Sequence, residues 1–378
     1  MQQINFHYSS LKNIDWENYS KDLKSLDVYS GNENLQNEIK NFVNSFCKGE
    51  NLLFVNSGTA ALELALMSLK LKISDEVIIP SYTFSSCANA VLRANATPVF
   101  CEIELETLHA SINTIEPLIN NNTKCIMIVE YAGIRANLLE IKALCEKNGI
   151  ILILDSAQAF AAFDKDYDNS DLADFVCYSF HDTKNYSCGE GGLLVINNTS
   201  FLDVVHIMYE KGTNRLQFAK GIVDKYSWHD IGSSFILSNV NLLLLKYQLK
   251  IIDQISLQKS EAILVYNNYF KKKSFEFVIC YSDHSRCSNG HIFWLILDSS
   301  DTRNSIINYF KNFNIQITTH YVPLHSSHFS KKSRLKHAVD LNVTNLAGNC
   351  LLRLPVITSK ISKKIIDIFS NFELGKND

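Results

Sequence analysis

Residues 150–158, with the sequence IILILDSAQ, decide the fold of this chain. A run of branched apolar residues is followed by an acidic residue, Asp155, and then by a short polar segment. Such a run is typical of a strand that is buried on both faces of a parallel sheet. Residues 175–179, FVCYS, repeat the pattern and lead into the polar string FHDTKNYSCGEGG. Because ligands of such sheets bind beyond the carboxyl ends of the strands, we search for chemistry after these two strands first.

Similar apolar runs alternate with helical stretches over the first three fifths of the chain. The further predicted strands are residues 52–55, 76–79, 98–103, 125–129 and 192–196. This alternation predicts an α/β fold with a mostly parallel central sheet that is covered by helices on both faces. Residues 239–252 are apolar at most positions, which predicts a buried helix and a candidate subunit interface.

The pattern changes after this helix. We predict helices over residues 256–272 and 303–313, strands over 275–280 and 292–297, and a polar loop over 326–337. The expected organisation is therefore a large α/β domain, residues 1–250, followed by a smaller C-terminal α+β domain, residues 251–378.

Composition excludes several classes of function. The chain has 378 residues and a net charge of −3, so it has no basic field for nucleic acid or an anionic membrane. Its longest apolar runs are too short to cross a bilayer. Its ten cysteines are scattered without a CxxC pair, which indicates reduced thiols rather than disulfides. The amino terminus does not resemble a signal peptide, so we expect a cytoplasmic protein.

Ser57, Gly58 and Thr59 follow the first predicted strand at the start of a predicted helix. Free backbone N–H groups and the positive end of the helix dipole make such a position suitable for a phosphate. Taken alone, an ordinary helix N-cap is the more common explanation. The chain has neither a GxxxxGK[ST] string nor a GxGxxG string after a strand, so neither a P-loop nor a dinucleotide site is expected.

Asp155 and Lys184 both follow predicted strands of the same sheet. Either residue alone is most simply a helix cap or a solvated surface charge. Their combination with a phosphate site is more specific, because pyridoxal phosphate (PLP) requires a Schiff-base lysine, an acidic partner for its ring nitrogen and a phosphate cradle. The sequence therefore predicts a PLP site.

Several strings carry a resemblance to a known family over nearly the whole chain. They are SGTAAL from Ser57, DEVIIPSYTFSSCANAV from Asp75, DSAQAF from Asp155, SFHDTKNYSCGEGG from Ser179, HYVPLHSS from His320 and RLP from Arg353. In these strings the chain resembles the sugar aminotransferases of the DegT/DnrJ/EryC1/StrS family. The resemblance implies the fold-type-I architecture of PLP-dependent aminotransferases.

The resemblance also implies roles for individual residues. Lys184 would form the Schiff base and move the proton, and Asp155 would pair with the pyridinium nitrogen. The implied cofactor-binding residues are Gly58, Thr59, Phe84, Asp155, Gln158, Ser179 and Lys184, with Phe84 stacked on the ring and Gln158 near the ring hydroxyl. Members of this family form homodimers with shared sites, and Ser234 matches a phosphate ligand that comes from the neighbouring subunit. Tyr321 and His325 are implied substrate contacts.

Residues 210–234, EKGTNRLQFAKGIVDKYSWHDIGSS, resemble one branch of the family more closely. That branch transfers an amino group from L-glutamate to C4 of dTDP-4-keto-6-deoxyglucose and forms dTDP-4-amino-4,6-dideoxygalactose. The gluco epimer and a 3-amino sugar remain alternative products, since their enzymes would keep every cofactor residue. A PLP-binding regulatory protein is the non-enzymatic alternative. Lys184 argues against the dehydratases, which carry histidine at the Schiff-base position.

The chain departs from the family pattern at a few positions. Glu130 stands in VEYAG where histidine is frequent, Glu102 and Glu104 replace aspartates, and residues 137–138 replace an acidic pattern. Glu130 either tunes substrate binding or is neutral, and both readings stay open here. The histidines of HYVPLHSSH have no carboxylate or cysteine beside them, so we expect no metal.

Overall fold

The computed structural model describes residues 3–31, 33–162, 170–285 and 287–373. Its strands are β1 (Leu52–Val55), β2 (Glu76–Pro80), β3 (Thr97–Cys101), β4 (Thr123–Val129), β5 (Ile151–Asp155), β6 (Phe175–Ser179), β7 (Gly192–Ile196), β8 (Val278–Tyr281), β9 (Phe293–Leu297), β10 (Lys336–His337) and β11 (Leu351–Leu354).

The helices of the described residues alternate with these strands. They are α1 (Trp16–Lys24), α2 (Glu33–Val43), α3 (Gly58–Ser68), α4 (Ser85–Arg93), α5 (Ile112–Ile115), α6 (Leu139–Asn148), α7 (Leu202–Tyr209), α8 (Arg215–Ala219), α9 (Asn239–Leu249), α10 (Ile252–Lys272), α11 (Ser300–Lys311), α12 (His328–Ser333), α13 (Asn342–Cys350) and α14 (Ser359–Phe369). Nowhere in the described ranges is a helix both long enough and apolar enough to cross a membrane.

The large sheet has eight strands in the order β1-β7-β6-β5-β4-β2-β3-β10. Of the strands described in this sheet, only β7 runs antiparallel to its neighbours, β1 and β6. Successive residues of one strand enter different cores: Leu152 and Leu154 of β5 pack with helices α1, α2, α6 and α9, whereas Ile153 packs with α3, α4 and α7. Side chains alternate across a strand, so continuous apolar runs require covers on both faces. The predicted mostly parallel sheet with two helical layers is confirmed.

The small antiparallel sheet has the order β11-β9-β8. Phe293 and Leu295 of β9 face a core that is built with α10, α11 and α14. Trp294 and Ile296 face the opposite way and pack with Tyr82 and Tyr131 of the large-sheet region. The small sheet therefore packs against the segments that follow β2 and β4, and it closes one side of the space beyond the carboxyl ends of the large sheet's parallel strands.

The observed elements differ from the predicted ones in a few places. The helix predicted to reach residue 252 ends at Leu249, and α10 begins three residues later. Residues 326–337 are not a plain loop, because they contain α12 and the short strand β10, which pairs in parallel with β3. Both residues of β10 are exposed at the edge of the sheet, so burial leaves no hydrophobic pattern there. The domain division at residue 250 stays a prediction. Strand β10 comes from residues after this division and yet belongs to the large sheet.

Gly192 begins β7 and lies opposite both Val55 and Ser179. A Cβ atom at this position would lie 2.5 Å from the carbonyl carbon and oxygen of Ser57 and 2.8 Å from the backbone nitrogen of Gly58. The absence of a side chain at Gly192 therefore lets the turn between β1 and α3 pack directly on the sheet.

Glu130, the departure from the family pattern, is buried directly after β4. Its Oε2 atom accepts hydrogen bonds from Arg135 Nη1 at 2.7 Å and from Ser156 Oγ at 2.6 Å. Its Oε1 atom accepts from the backbone N–H of Ala136 at 3.1 Å. Arg135 in turn donates from Nε to the carbonyl oxygen of Ala162. The Glu130–Arg135 ion pair therefore links the segment after β4 to the segment after β5.

The other departures also have local partners. Glu102 accepts hydrogen bonds from the backbone N–H groups of Val343 and Thr344, at 2.9 and 2.8 Å, and so caps the amino-terminal end of α13. Glu104 accepts from Ser111 Oγ at 2.5 Å. These acidic side chains hold chain segments together.

We predict that Glu130→Ala lowers the free energy of unfolding by about 3–5 kcal/mol, because it leaves the Arg135 guanidinium buried without its carboxylate. Urea unfolding followed by circular dichroism measures this loss. The matched control is Glu17→Ala, which removes an exposed ion pair with Lys21 at 2.7 Å and should cost less than about 1 kcal/mol. Equal midpoints for Glu130→Ala and the parent chain would show that the buried pair does not stabilise the fold.

Candidate active site

A cavity of about 700 Å³ lies beyond the carboxyl ends of the large sheet. Its walls come from the amino-terminal segment, the turn between β1 and α3, the segments after β5 and β6, helix α10 and the segments around β9 and β11. The predicted site residues on these walls are Gly58, Thr59, Phe84, Asp155, Gln158, Ser179, Lys184 and Tyr321. The structure therefore brings together residues that are far apart in the sequence.

The amino-terminal end of α3 forms one wall of the cavity. Ser57 caps the helix, since its Oγ atom accepts a hydrogen bond from the backbone N–H of Ala60 at 3.0 Å. Thr59 Oγ1 and Ser86 Oγ lie 2.7 Å apart. A Cβ atom on Gly58 would come within 2.7 Å of Ser179 Cβ, so glycine is needed where the turn meets β6. Hydroxyl groups and helix N–H groups at a positive dipole end fit an oxyanion such as phosphate.

Asp155 ends β5 and is only 5% exposed. One carboxylate oxygen accepts a hydrogen bond from the backbone N–H of Ala157 at 3.0 Å, and the other accepts from Cys87 Sγ at 3.1 Å. Burial raises the pKa of Asp155, while these two hydrogen bonds and the charge of Lys184 oppose the rise. A buried carboxylate of this kind favours a cationic partner in the cavity.

Lys184 lies in the loop after β6, where its backbone N–H donates to the carbonyl oxygen of His181 at 2.9 Å. Its side chain lines the cavity. Burial lowers the pKa of Lys184 and the charge of Asp155 opposes the lowering. A lowered pKa increases the fraction of neutral amine, which is the nucleophilic and proton-accepting form of lysine.

Gln158, Tyr321 and Phe84 form a connected polar and aromatic wall. Gln158 accepts from the backbone N–H of Ala132 at 2.7 Å and donates from Nε2 to Tyr321 Oη at 2.9 Å. The rings of Phe84 and Tyr321 have centroids 6.2 Å apart. Phe84 is 57% exposed although it lines the cavity, so it presents an uncovered aromatic face to any planar ring bound there.

Two predicted site residues lie outside the cavity of this chain. His325 is held away from it, because its Nδ1 atom lies 2.7 Å from Ser81 Oγ and its Nε2 atom 3.2 Å from Asn345 Oδ1. Its role in substrate binding stays a prediction that this arrangement does not favour. Ser234 is exposed on the surface, and its carbonyl oxygen accepts from Asn56 Nδ2 at 3.0 Å.

The cavity also contains residues to which sequence reasoning gave no role. His320 stacks on Tyr321 with ring centroids 3.6 Å apart, and its Nδ1 atom lies 2.6 Å from Tyr131 Oη. Arg353 packs over the ring of Phe6 at 4.5 Å and donates to the carbonyl oxygen of Thr319. His320 and Arg353 both lie in strings that carry the family resemblance, and this position could have identified them from the sequence.

Further wall residues, His7, Lys259 and His291, had no such signal, because they come from the amino-terminal segment, α10 and a connecting loop. Among the described residues, no group of three or more histidine, cysteine, aspartate or glutamate side chains is placed to hold a metal ion.

Comparisons with known proteins give this geometry a context. The sequence model of the DegT/DnrJ/EryC1/StrS aminotransferase family matches residues 15–372. The GDP-perosamine synthase of Vibrio cholerae is 28% identical over 289 residues, which are 74% of this chain and 75% of the relative. The spore coat polysaccharide biosynthesis protein SpsC of Bacillus subtilis is 26% identical over 332 residues, 86% of this chain and 85% of the relative.

Solved structures show the same fold. The PLP form of Spr1654 from Streptococcus pneumoniae has a TM-score of 0.85 at 21% identity and 98% coverage of both chains. PseC of Helicobacter pylori, an aminotransferase involved in pseudoaminic acid biosynthesis, has a TM-score of 0.84 at 20% identity and covers 98% of this chain and 100% of its own. The chain belongs to the DegT/DnrJ/EryC1/StrS aminotransferase family of PLP-dependent enzymes.

Proposed function

We propose that this aminotransferase moves an amino group from L-glutamate to C4 of dTDP-4-keto-6-deoxy-D-glucose and so forms dTDP-4-amino-4,6-dideoxy-D-galactose. One observation carries the proposal: Lys184, the buried residue Asp155 and the amino-terminal end of α3 all line the same cavity. The resemblance of residues 210–234 to the branch with that product supports the choice of sugar.

The cavity residues fit PLP. The cradle at Gly58, Thr59 and Ser179 has the N–H and hydroxyl donors that a phosphate needs. Asp155 has the burial and the raised pKa that a protonated ring nitrogen would offset. The open face of Phe84 suits stacking on the ring. We therefore assign these residues, with Gln158 and Lys184, to the cofactor.

The residues of the chain have separable tasks in the reaction. When bound, PLP supplies an electron sink for the charge that develops as the α-proton leaves the donor. Asp155 would hold the proton on the ring nitrogen through its buried carboxylate. Lys184, as a neutral amine, takes the proton from the α carbon of the donor and delivers a proton in the acceptor half of the cycle. The face of the sugar that receives this proton decides between the galacto and gluco products.

A homodimer with shared sites is part of the proposal. Ser234 does not line the cavity of its own chain, and it is exposed on the surface, where it could complete the phosphate site of a second copy. The segment just before it exposes large apolar side chains, namely Ile222, Tyr226, Trp228 and Ile231. Exposed apolar groups in such density are typical of a surface that is covered by a partner.

A second acceptor is favoured by the comparisons. Two relatives, from Vibrio cholerae and Escherichia coli O157:H7, are GDP-perosamine synthases with 28% and 27% identity to this chain. The alternative acceptor is therefore a GDP-linked precursor of perosamine, which differs from the first candidate in its nucleotide. The cofactor residues would serve both reactions equally.

We predict that PLP-loaded protein with L-glutamate converts dTDP-4-keto-6-deoxyglucose into an amino sugar with a small H3–H4 proton coupling, because the new amine is axial in the galacto product. Proton NMR of the purified product measures this coupling. A parallel reaction contains the GDP-linked precursor. A large coupling would move the product to the gluco series, and turnover of the GDP-linked sugar alone would reject the dTDP acceptor.

We predict that Lys184→Ala lowers turnover by more than about 1000-fold, since it removes both the Schiff-base amine and the proton carrier. The product assay measures the loss, and unchanged circular dichroism shows that the fold is kept. Lys72→Ala, which removes an exposed lysine outside the cavity, is the control and should keep full activity. Normal turnover by Lys184→Ala would reject the assignment of the catalytic lysine.

A further inference from the structure

Lys259 is a cavity lysine that the proposed mechanism does not use. It lies on α10, and its side chain forms part of the cavity wall beside Ile255 and Val356. Its Nζ atom donates to the carbonyl oxygen of Val356 at 2.6 Å. This is its only hydrogen bond within the described ranges, and no described carboxylate lies within 4.0 Å of it. An ammonium group has three donors, so two of the three have no hydrogen-bond partner among the described residues.

The groups around Lys259 do not neutralise it. His7 of the amino-terminal segment and His291 of the loop before β9 interact with it electrostatically. Burial lowers the pKa of both histidines, so they are uncharged at neutral pH. His7 Nε2 is buried, has no hydrogen-bond partner in the part of the chain that the structure describes, and lies 3.5 Å from Asp182 Oδ2. Residues 355–358, which supply the carbonyl partner, contain no titratable side chain.

The charges of the whole wall point to an anionic ligand. The lining contains the acidic residues Asp155 and Glu190 against the cations Lys184, Lys259 and Arg353. PLP would engage Asp155 and Lys184. Glu190 is exposed, and its Oε1 atom lies 3.5 Å from His181 Nε2. Lys259 and Arg353 then remain as cations for the substrates. Holding a cation inside a cavity without a neighbouring carboxylate is unfavourable because the cation loses hydration. A bound anion would compensate this loss.

We propose that the Lys259 ammonium group binds a substrate oxyanion inside the cavity, either a carboxylate of the amino donor or a phosphate of the nucleotide sugar. The proposal rests on the proposed function for the identity of these substrates. It assigns α10 a direct part in substrate binding, in addition to its place in the core of the small sheet.

The same group makes binding depend on pH. Burial lowers the pKa of Lys259 to about 8. The ammonium form, which attracts an anion, is therefore dominant below pH 8 and is lost as the pH rises through that value. His7 and His291 have pKa values below the ordinary histidine value and have already lost their protons in this range, so they do not produce the same change.

The test measures binding rather than turnover. Isothermal titration calorimetry on PLP-loaded protein uses glutarate, a dicarboxylate without an amino group, and in a separate titration inorganic pyrophosphate. At about pH 7, Lys259→Met should weaken the binding of at least one probe by about 10-fold or more, as expected for a lost hydrogen bond to a charged group. Lys272→Met, an exposed lysine on the same helix, is the matched control and should bind as the parent does.

The two probes separate the two sources of the anion. Loss of glutarate binding alone assigns Lys259 to the amino donor, and loss of pyrophosphate binding alone assigns it to the nucleotide. In the parent chain the affected probe should bind at least about 10-fold more weakly at about pH 10 than at about pH 7. This pH series serves as a second test if Lys259→Met fails to fold. Unchanged binding of both probes by folded Lys259→Met, or no pH dependence in the parent, would overturn the proposal.

Failure of the proposed function would look different. If glutamate and the keto sugars gave no amino sugar, the substrates would be misassigned, yet a Lys259-dependent loss of probe binding would still show an anion subsite. If the amino sugar formed normally and both probes ignored Lys259, the function would stand without this subsite.

Discussion

The desolvated carboxylate of Asp155 is the constraint around which the site is arranged. Asp155 ends strand β5, which is buried on both faces, and an isolated charge is costly at such a position. The chain compensates it with the N–H of Ala157, the thiol of Cys87 and the nearby charge of Lys184. The raised pKa of Asp155 shows that this compensation is incomplete. In the proposed function a protonated ring nitrogen would complete it, so this buried carboxylate is an electrostatic reason for the cofactor to bind here.

A second buried charge, Glu130, has a complete set of partners. Arg135, Ser156 and the backbone of Ala136 satisfy its oxygens, and its backbone N–H donates to the carbonyl oxygen of Asp155. The two carboxylates at adjacent strand ends thus differ in kind. Glu130 fixes the segments that carry Asp155 and Gln158, whereas Asp155 is left open to a ligand. The contacts give Glu130 a structural role, which differs from both readings of this departure, namely tuning of substrate binding and neutrality.

The cavity lowers the pKa of its lysines through burial, and the consequence differs with position. Lys184 interacts electrostatically with Asp155, and the proposed function gives it the nucleophilic and proton-transfer steps. Among the described residues, Lys259 Nζ has a backbone carbonyl as its one hydrogen-bond partner, and Lys259 stays a cation at neutral pH. Desolvation therefore lowers the pKa of both lysines, and the two proposals give them different tasks, reaction for Lys184 and anion binding for Lys259.

The sequence by itself determined the parallel sheet and the central residues of the site. Continuous apolar runs such as residues 150–154 require two covered faces. The parallel pair β5 and β6 places Asp155 and Ser179 along one edge, and β1, which is antiparallel to β7 as β6 is, brings the turn at Gly58 to the same edge. The same rule on strand ends drew attention to Lys184 in the loop after β6, and the family strings added Phe84 and Gln158. The strand β10 was beyond this reasoning, because its residues are exposed and leave no pattern.

The tertiary structure alone decided the rest of the cavity. His7, Lys259 and His291 meet there only because the amino-terminal segment, α10 and the loop before β9 pack against the same strand ends. It also decided that Glu130 faces Arg135 rather than the cavity, and that His325 is held by Ser81 and Asn345. Local periodicity records which face of an element is buried. It does not record which distant side chain shares that buried space, since that depends on how the elements pack.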